Sequence, residues 1–485
     1  MKKILYLSLA LTVLLGACSD FDSLNENPNE PTAVATGVLF TSALRNAVKT
    51  TSNESFLLGN NIAQLTAKTL RAEVDFYKWN AFPTLWEGLY ESLTDLNQVI
   101  LIAEETGNDQ AKGAAMVSRA WVFSVLTQAY GDIPYSEAID GANANFTPVY
   151  DAQEDIIKDV VSQLEQAAVL LGGSGNIPGD LIYDGDAMGW QKFANSLQLR
   201  LLLRAGDAWP AASGKFASVA SSGKLFESNT DQAALAFLNS FPNQFPTQPL
   251  KQGDFDAVAI GQSAVNVLED LSDPRLARYA RPDNEDFDNG TYTGVLNGVG
   301  GQTGSRLGVA YFNYPGLKTA AELGIQGAQG LIMTYAELHF ILAEAAAKGW
   351  INKAIEPLYK GGIKASHDFY QVDYAAFGWS NFEDFYANSG VAYSQTEDLW
   401  KQRWLSIFFT GMEPYFAVRD WYLTAGGFDG ISFLSAPIGE NFNNYALPMR
   451  FQYPGQEQSL NAQNYQAASG RYNGDDINAK MWLLQ

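Results

Sequence analysis

In the first half of the chain the apolar positions recur at steps of three and four, the spacing of one face of an α-helix. Residues 36–50 place Val38, Leu39, Leu44 and Val48 on or near one face. Residues 84–105 carry Leu85, Leu89, Leu93, Leu96, Ile100 and Ala103, and residues 110–129 carry Ala114, Val117, Trp121, Val125 and Ala129. The same spacing predicts helices over 151–171, through Ile157, Val160, Leu164 and Leu171, and over 187–205, through Trp190, Phe193, Leu197, Leu201 and Ala205. Local chemistry marks the ends. Pro83-Thr84 opens the second helix, with Glu87 as a capping-box partner for Thr84. Glu154 and Asp155 follow Asp151 in a first turn, where acidic groups suit the helix dipole, and Gly172-Gly173 closes that helix. Far downstream, 331–348 and 352–369 read as one more pair, with Leu331, Tyr335, Leu338, Leu342 and Ala346 on one stripe.

Amphipathic helices in consecutive pairs need neighbours for their apolar stripes. They predict a mostly α fold, a tetratricopeptide-like scaffold of about four helical pairs over 36–206 and 331–369, resting on pairing and length, since the strict repeat consensus is absent. Residues 207–330 and 370–470 break the pattern. They are rich in Gly, Asn, Pro, Ser and aromatics, least regular over 281–316, 370–396 and 422–470, and are expected to be loop-rich insertions where binding residues gather.

The N-terminus has a separate logic. Lys2 and Lys3 precede an apolar run from Ile4 to Leu15, too short to span a bilayer and shaped like the core of a signal peptide. It ends in Leu15-Gly16-Ala17-Cys18, small residues before the only Cys of the chain. That pattern predicts a signal peptide over 1–17 and a lipid anchor on Cys18, the acyl chains holding the protein at a membrane surface. Residues 18–35 are polar and Pro-containing and read as a tether, with one folded unit over 36–485. No later window is apolar enough to span a membrane.

Composition removes several classes of function. In 485 residues there are 31 Lys+Arg against 53 Asp+Glu, a formal net charge of −22, which repels a phosphate backbone and makes nucleic acid a poor partner. One Cys and two His exclude a disulfide framework, zinc fingers and a Cys/His metal cluster. His339 is followed by Phe340-Ile341-Leu342, so there is no His-Glu-x-x-His, and there is neither a Gly-x-Ser-x-Gly elbow nor a phosphate-binding Gly-x-x-x-x-Gly-Lys loop. No pair of carboxylates is singled out for glycoside hydrolysis. A binding protein, not an enzyme, is the expectation.

Several segments resemble one family. Tyr130-Gly131-Asp132-Ile133-Pro134-Tyr135-Ser136-Glu137-Ala138, then Pro148, Tyr150, Asp151 and Gln153, is similar to the hallmark of SusD/RagB-type outer-membrane nutrient-binding lipoproteins. Asn27-Pro28-Asn29-Glu30-Pro31-Thr32 resembles their tether. Ser272-Asp273-Pro274-Arg275-Leu276, Tyr335-Ala336-Glu337-Leu338, the stretch Trp400 to Trp421 and Leu447-Pro448-Met449-Arg450-Phe451-Gln452-Tyr453-Pro454 follow in the family's order. The resemblance implies a non-catalytic, lipid-anchored surface protein of the outer membrane. It would act as a lid over a SusC-like TonB-dependent transporter and pass it a nutrient, often an oligosaccharide and sometimes a peptide. By their own chemistry, Gly131 suits a left-handed helix end and Pro134 stops the helix, so Tyr130–Ala138 is expected to be a structural corner. Arg275 and Arg450 are expected in internal ion pairs or on backbone carbonyls.

Saccharide binding uses aromatic faces against the apolar face of a sugar, with amide, carboxylate and guanidinium groups on its hydroxyls. Loop aromatics are the candidates, because helix aromatics usually pack. Phe76, Tyr77, Trp79 and Asn80 lie beside Arg71 and Asp75 between the first helices; Tyr292, Tyr311, Phe312 and Tyr314 lie in the Gly-rich insertion, with Asn297 and Asn313 at hand. Trp379, Phe382 and Tyr386 form a weaker third group. For each the competing reading is packing. The acidic run Asn284 to Gly290 raises calcium, but it lacks the EF-hand spacing and reads better as a solvated loop, so no cofactor is expected.

Overall fold

The structure, a computed structural model, describes residues 35–139, 145–173, 175–238, 240–287 and 290–485. The expected signal peptide, the Cys18 anchor and the tether up to residue 34 lie outside the described residues, as do Asp288 and Asn289 of the acidic run.

The periodic segments are helices. In chain order they are α1 (Thr36–Glu54), α2 (Pro83–Glu105), α3 (Asp109–Tyr130), α4 (Gln153–Leu170) and α5 (Ala187–Arg204). Each packs on the next, and α3 is the most enclosed, with side chains buried around almost its whole circumference. Caps set several starts: the Asn108 side chain accepts the Ala111 N–H at 3.1 Å, and Asp186 accepts the N–H groups of Met188 and Gly189. At α2 the expected Thr84–Glu87 capping box is not formed. The helix begins at Pro83, whose fixed φ and missing N–H suit the first position without a side-chain cap.

The next elements are α6 (Ala212–Ser221), α7 (Gln262–Asp270), α8 (Tyr335–Ala347), α9 (Ile355–Tyr370), α10 (Phe382–Asn388), α11 (Thr396–Ser406) and α12 (Glu413–Ala425). Two of these correct the sequence reading. The helix expected from 331 starts at Tyr335, because Gln329–Met333 is a strand and Thr334 caps the helix by accepting the Glu337 N–H at 3.1 Å. The strand exists because Ala233–Ala236 pairs with it, a partner that local periodicity cannot reveal. Likewise the stretch 370–470 carries α11 and α12. Buried charges tie them to the scaffold: Arg204 of α5 lies 2.6 Å from both Glu413 and Asp420, Arg403 lies 3.1 Å from Glu413, and Arg200 pairs with Glu337. Such pairs hold only when every partner is present, which fixes the register of four helices together.

The short strands form three antiparallel pairs: β1 (Thr66–Lys68) with β5 (Val258–Ile260), β2 (Ile133–Pro134) with β3 (Tyr150–Asp151), and β4 (Ala233–Ala236) with β6 (Gln329–Met333). Strand β2 lies in the Tyr130–Ala138 segment and pairs with β3 downstream, and the segment is the structural corner its chemistry suggests. Gly131 has φ +86°, and a Cβ there would sit 2.5 Å from the Tyr472 hydroxyl. Arg450 donates to the Tyr130 carbonyl at 2.9 Å and to Asp475 at 2.6 Å; Arg275 pairs with Asp273 at 2.6 Å. Both arginines are fully buried, in internal pairs as expected.

Candidate cargo-binding face

The aromatic residues singled out from the sequence divide by burial. Trp79 is 7% exposed, its indole N–H donates to the Val74 carbonyl at 3.0 Å, and its ring meets the edges of Phe82, Tyr415 and Phe451 at 5.2–5.7 Å. It plugs the junction between α2, α12 and the C-terminal segment. Tyr77 is buried beside it. Tyr311 stacks on Phe409 at 4.1 Å, Phe312 stacks on Phe255 at 4.6 Å, and Tyr314 donates to Asp256 beneath the Arg306 guanidinium. These five rings offer no free face. Phe382 and Tyr386 are likewise buried, in a satellite core with half-buried Trp379. Tyr292 and Phe76 are half-buried, while Arg71 and Asn80 are exposed. Arg71 reaches within 4.0 Å of Asp254. Asn297, which had looked available for a ligand, is interior. Its side-chain amide donates to the carbonyls of Asn61 and Thr66, both at 3.0 Å.

The structure brings together a different set of rings. Three loops meet at one end of the scaffold: 69–80, 297–304 and 437–446. The Phe442 N–H donates to the Phe76 carbonyl at 2.8 Å, the Ile438 N–H to the Asn297 carbonyl at 3.1 Å, and the Gly301 N–H to the Thr69 carbonyl at 2.9 Å. On the outer side stand Phe442, 50% exposed, Tyr445, 49%, Ile438, 53%, and Leu70, 57%. Lys78 holds its ammonium 5.0 Å from the Phe442 ring centroid. Every Trp of the chain is buried or half-buried, so the outward ring faces here belong to Phe and Tyr. A cleft of about 440 Å³ opens beside Leu70, between Thr69, Val258, Gly301–Gly304 and Arg306.

Backbone strain concentrates on the same loops. Arg71 and Tyr77 have φ +55°, Asn444 +49° and Tyr445 +60°, left-handed conformations that non-glycine residues rarely adopt. Such strain costs on the order of 1–3 kcal/mol per residue and persists where surrounding contacts over-determine it, often at binding sites. Here the Asn441 side chain accepts the Asn443 and Tyr445 N–H groups, both at 2.8 Å, and holds the turn. Sequence reasoning missed Phe442 and Tyr445. The available signal was their Gly439-Glu440-Asn441-Phe442-Asn443-Asn444-Tyr445 setting, aromatics flanked by turn-forming Asn.

Beneath this face lies a buried ionisable group of three. Asp75 accepts the Lys68 N–H at 2.8 Å and the Asn297 amide at 3.3 Å, both through Oδ2, while Oδ1 has no partner. Burial pushes its carboxyl up to about 7, against the pull of Lys68, Asn297 and the nearby Gly298 N–H. Burial likewise raises Glu54 to about 7 and lowers Lys68 to about 8. In the acidic run, Glu285 is held by Arg281 at 2.7 Å, so its carboxylate is engaged.

Residues 28–454 match a family profile described as starch-binding, associating with the outer membrane. The chain belongs to the SusD-like family. It is similar in fold to an outer-membrane protein of Bacteroides vulgatus ATCC 8482 described in terms of nutrient binding, at 26% identity and TM-score 0.75, covering 93% of this chain and 100% of that one. It is also similar to a SusD homolog of Bacteroides fragilis NCTC 9343, at 24% identity and TM-score 0.72 over 92% and 100% of the two chains. A chitin-binding protein matches at 25% identity and TM-score 0.71, over 93% and 100%. Among curated proteins none matches. SusD-like proteins are non-catalytic binders of nutrients at the outer membrane, and this one shares their helical-pair fold. In the SusD-like chain the Tyr130–Ala138 motif does structural duty, and the three-loop end, with its exposed rings, is a candidate contact surface.

Proposed function

We propose that this SusD-like protein is tethered to the cell surface by a lipid on Cys18 and captures oligosaccharides for a SusC-like TonB-dependent transporter. The observation that carries the reading is the convergence of Phe76, Phe442 and Tyr445, from two of three loops laced together by backbone hydrogen bonds. Exposed rings on a pre-organised surface bind a pyranose face without first ordering the loops. Arg71, Lys78 and Asn80 stand exposed at hand for hydroxyls. Asp75, Tyr77 and Trp79 contribute from below, as the support of the 69–80 loop, while Tyr311, Phe312 and Tyr314 pack in the neighbouring core and half-buried Tyr292 stands on the insertion. The tether over 18–35 gives the reach for a lid that opens and closes over the barrel. Chitin binding by a relative of similar fold favours a saccharide cargo.

Leu70 and Ile438 beside the rings favour a second reading, a peptide cargo with apolar side chains. Affinity electrophoresis and calorimetry with soluble starch and chitin oligomers, then with a peptide library, separate the two. The double variant F442A/Y445A should lose at least about tenfold in affinity, two rings at about 0.5–1.5 kcal/mol each beyond their buried area. Unchanged retention of the double variant on every ligand that the parent binds would reject this face, and cleavage of a bound glycan would reject the binding-only reading.

A further inference from the structure

We infer that Asp75 is a positioning residue whose charge state sets how firmly the 69–80 and 297–304 loops are clasped beneath the exposed rings. Asp75 bridges β1 and the 297–304 loop, taking the Lys68 N–H and the Asn297 amide on a single oxygen. Asn297 in turn holds Asn61 and Thr66 through its side chain and Ile438 through its carbonyl. Release of Asp75 therefore loosens all three loops of the face at one point. The next residue, Phe76, carries the hydrogen bond to Phe442, so the effect reaches the exposed rings directly.

The surroundings make this carboxylate sensitive to its charge. It is 2% exposed, and Oδ1 has no hydrogen-bond partner. An ionised carboxylate with an unmet oxygen is costly away from water. The charged and titratable groups facing it are few. Lys68 of β1 attracts it, and the Lys68 ammonium lies 5.7 Å from the Phe56 ring. Glu54 at the end of α1, together with Glu73 and Arg71 of the loop itself, acts on Lys68. Tyr77 lies beside Asp75, and behind it stand Tyr415 and Tyr422 of α12. The 297–304 loop brings only neutral donors to Asp75.

The sign follows from linkage. In the clasped state the carboxyl keeps its proton up to about 7. In an opened loop it reverts to the ordinary value near 4. The clasped state therefore binds the extra proton, and its advantage shrinks as pH rises from about 4 through 7. Glu54 adds in the same direction, while relief of the buried Lys68 charge begins only above about 8. Between pH 6 and pH 8 the Asp75 contribution alone lowers the clasping equilibrium by about tenfold.

The consequence for cargo rests on the proposed function, but the test does not need a cargo. Hydrogen–deuterium exchange of the full chain, corrected for intrinsic exchange rates, should show the 69–80 and 297–304 amides losing about tenfold protection between pH 6 and pH 8. The corner amides of 130–138 serve as the internal reference. D75N should remove the Asp75 share of the difference between the two pH values and leave only what Glu54 contributes. An undiminished pH dependence in D75N, or its absence in the parent, overturns the inference and leaves the proposed function standing. Should D75N fail to fold, carboxyl-carbon NMR titration of the parent decides, and an Asp75 midpoint in the ordinary range near 4 overturns it. Loss of glycan retention with the pH effect intact would instead reject the proposed function alone.

Discussion

Asp132 and Asp75 are both buried carboxylates in turns crowded with aromatic rings, one in the corner after α3 and one in the loop after β1. Asp132 has every side met. Oδ1 accepts the Gln153 N–H and the Tyr472 hydroxyl, both at 2.8 Å, Oδ2 accepts from Arg471, and its backbone carbonyl takes the Tyr453 hydroxyl at 2.7 Å. Asp75 takes two donors on one oxygen, and its other oxygen has no hydrogen-bond partner among the described residues, with only the Gly298 N–H nearby. Residue type is the same, so the difference lies in what the rest of the chain delivers. Arg471, Tyr472 and Tyr453 come from the C-terminal segment and make the corner a lock. The loop receives only backbone and amide donors, and it stands at a face with exposed rings. A fully satisfied polar cluster rigidifies, whereas a partly satisfied one remains sensitive to its protonation.

The contrast between buried and exposed rings can be broken most directly at Trp79 and Phe442. W79A should destabilise the fold by about 3–5 kcal/mol, the range for removing a large core aromatic. F442A should stay within about 1 kcal/mol of the parent, since it removes one surface ring and its contact with Lys78. Urea denaturation followed by circular dichroism measures both, and comparable losses would erase the distinction between plug and platform. Next in size is the corner. G131A forces a side chain into φ +86° and against the Tyr472 hydroxyl, for an expected loss of about 1–3 kcal/mol by the same measurement. A neutral outcome would mean that the corner yields easily and is no lock. The smallest effect is expected at Lys78. K78A removes a cation held over an exposed ring, which is worth about 0.5–1 kcal/mol at most. Thermal denaturation checks this: a shift in melting temperature larger than that of G131A would place Lys78 in the framework instead of on the face.

Much of the scaffold was legible along the chain. The stripe through Leu85, Leu89, Leu93 and Leu96 marks α2 because helix contacts repeat within one turn, and such patterns survive whatever packs against them. Predicted and observed limits of α1 to α5 differ by at most a few residues, and Gly131, Arg275 and Arg450 adopt the roles that their chemistry suggests. The failures share a cause. Gln329–Met333 reads as helix until Ala233–Ala236 is placed beside it, and α11 and α12 are secured by Arg200, Arg204 and Glu337 from remote helices.

The candidate face shows the same division more sharply. Local sequence determined the helical pairs, their order and a family-wide motif, because each depends on neighbours a few residues away. It also supplied aromatic loops in abundance without saying which rings would be enclosed. Only the tertiary structure sent Trp79, Tyr311 and Phe312 inward and left Phe442 and Tyr445 outside. Burial is set by contacts between segments hundreds of positions apart, such as the hydrogen bond from Phe442 to Phe76, and apolar surface is removed from water wherever those segments happen to meet.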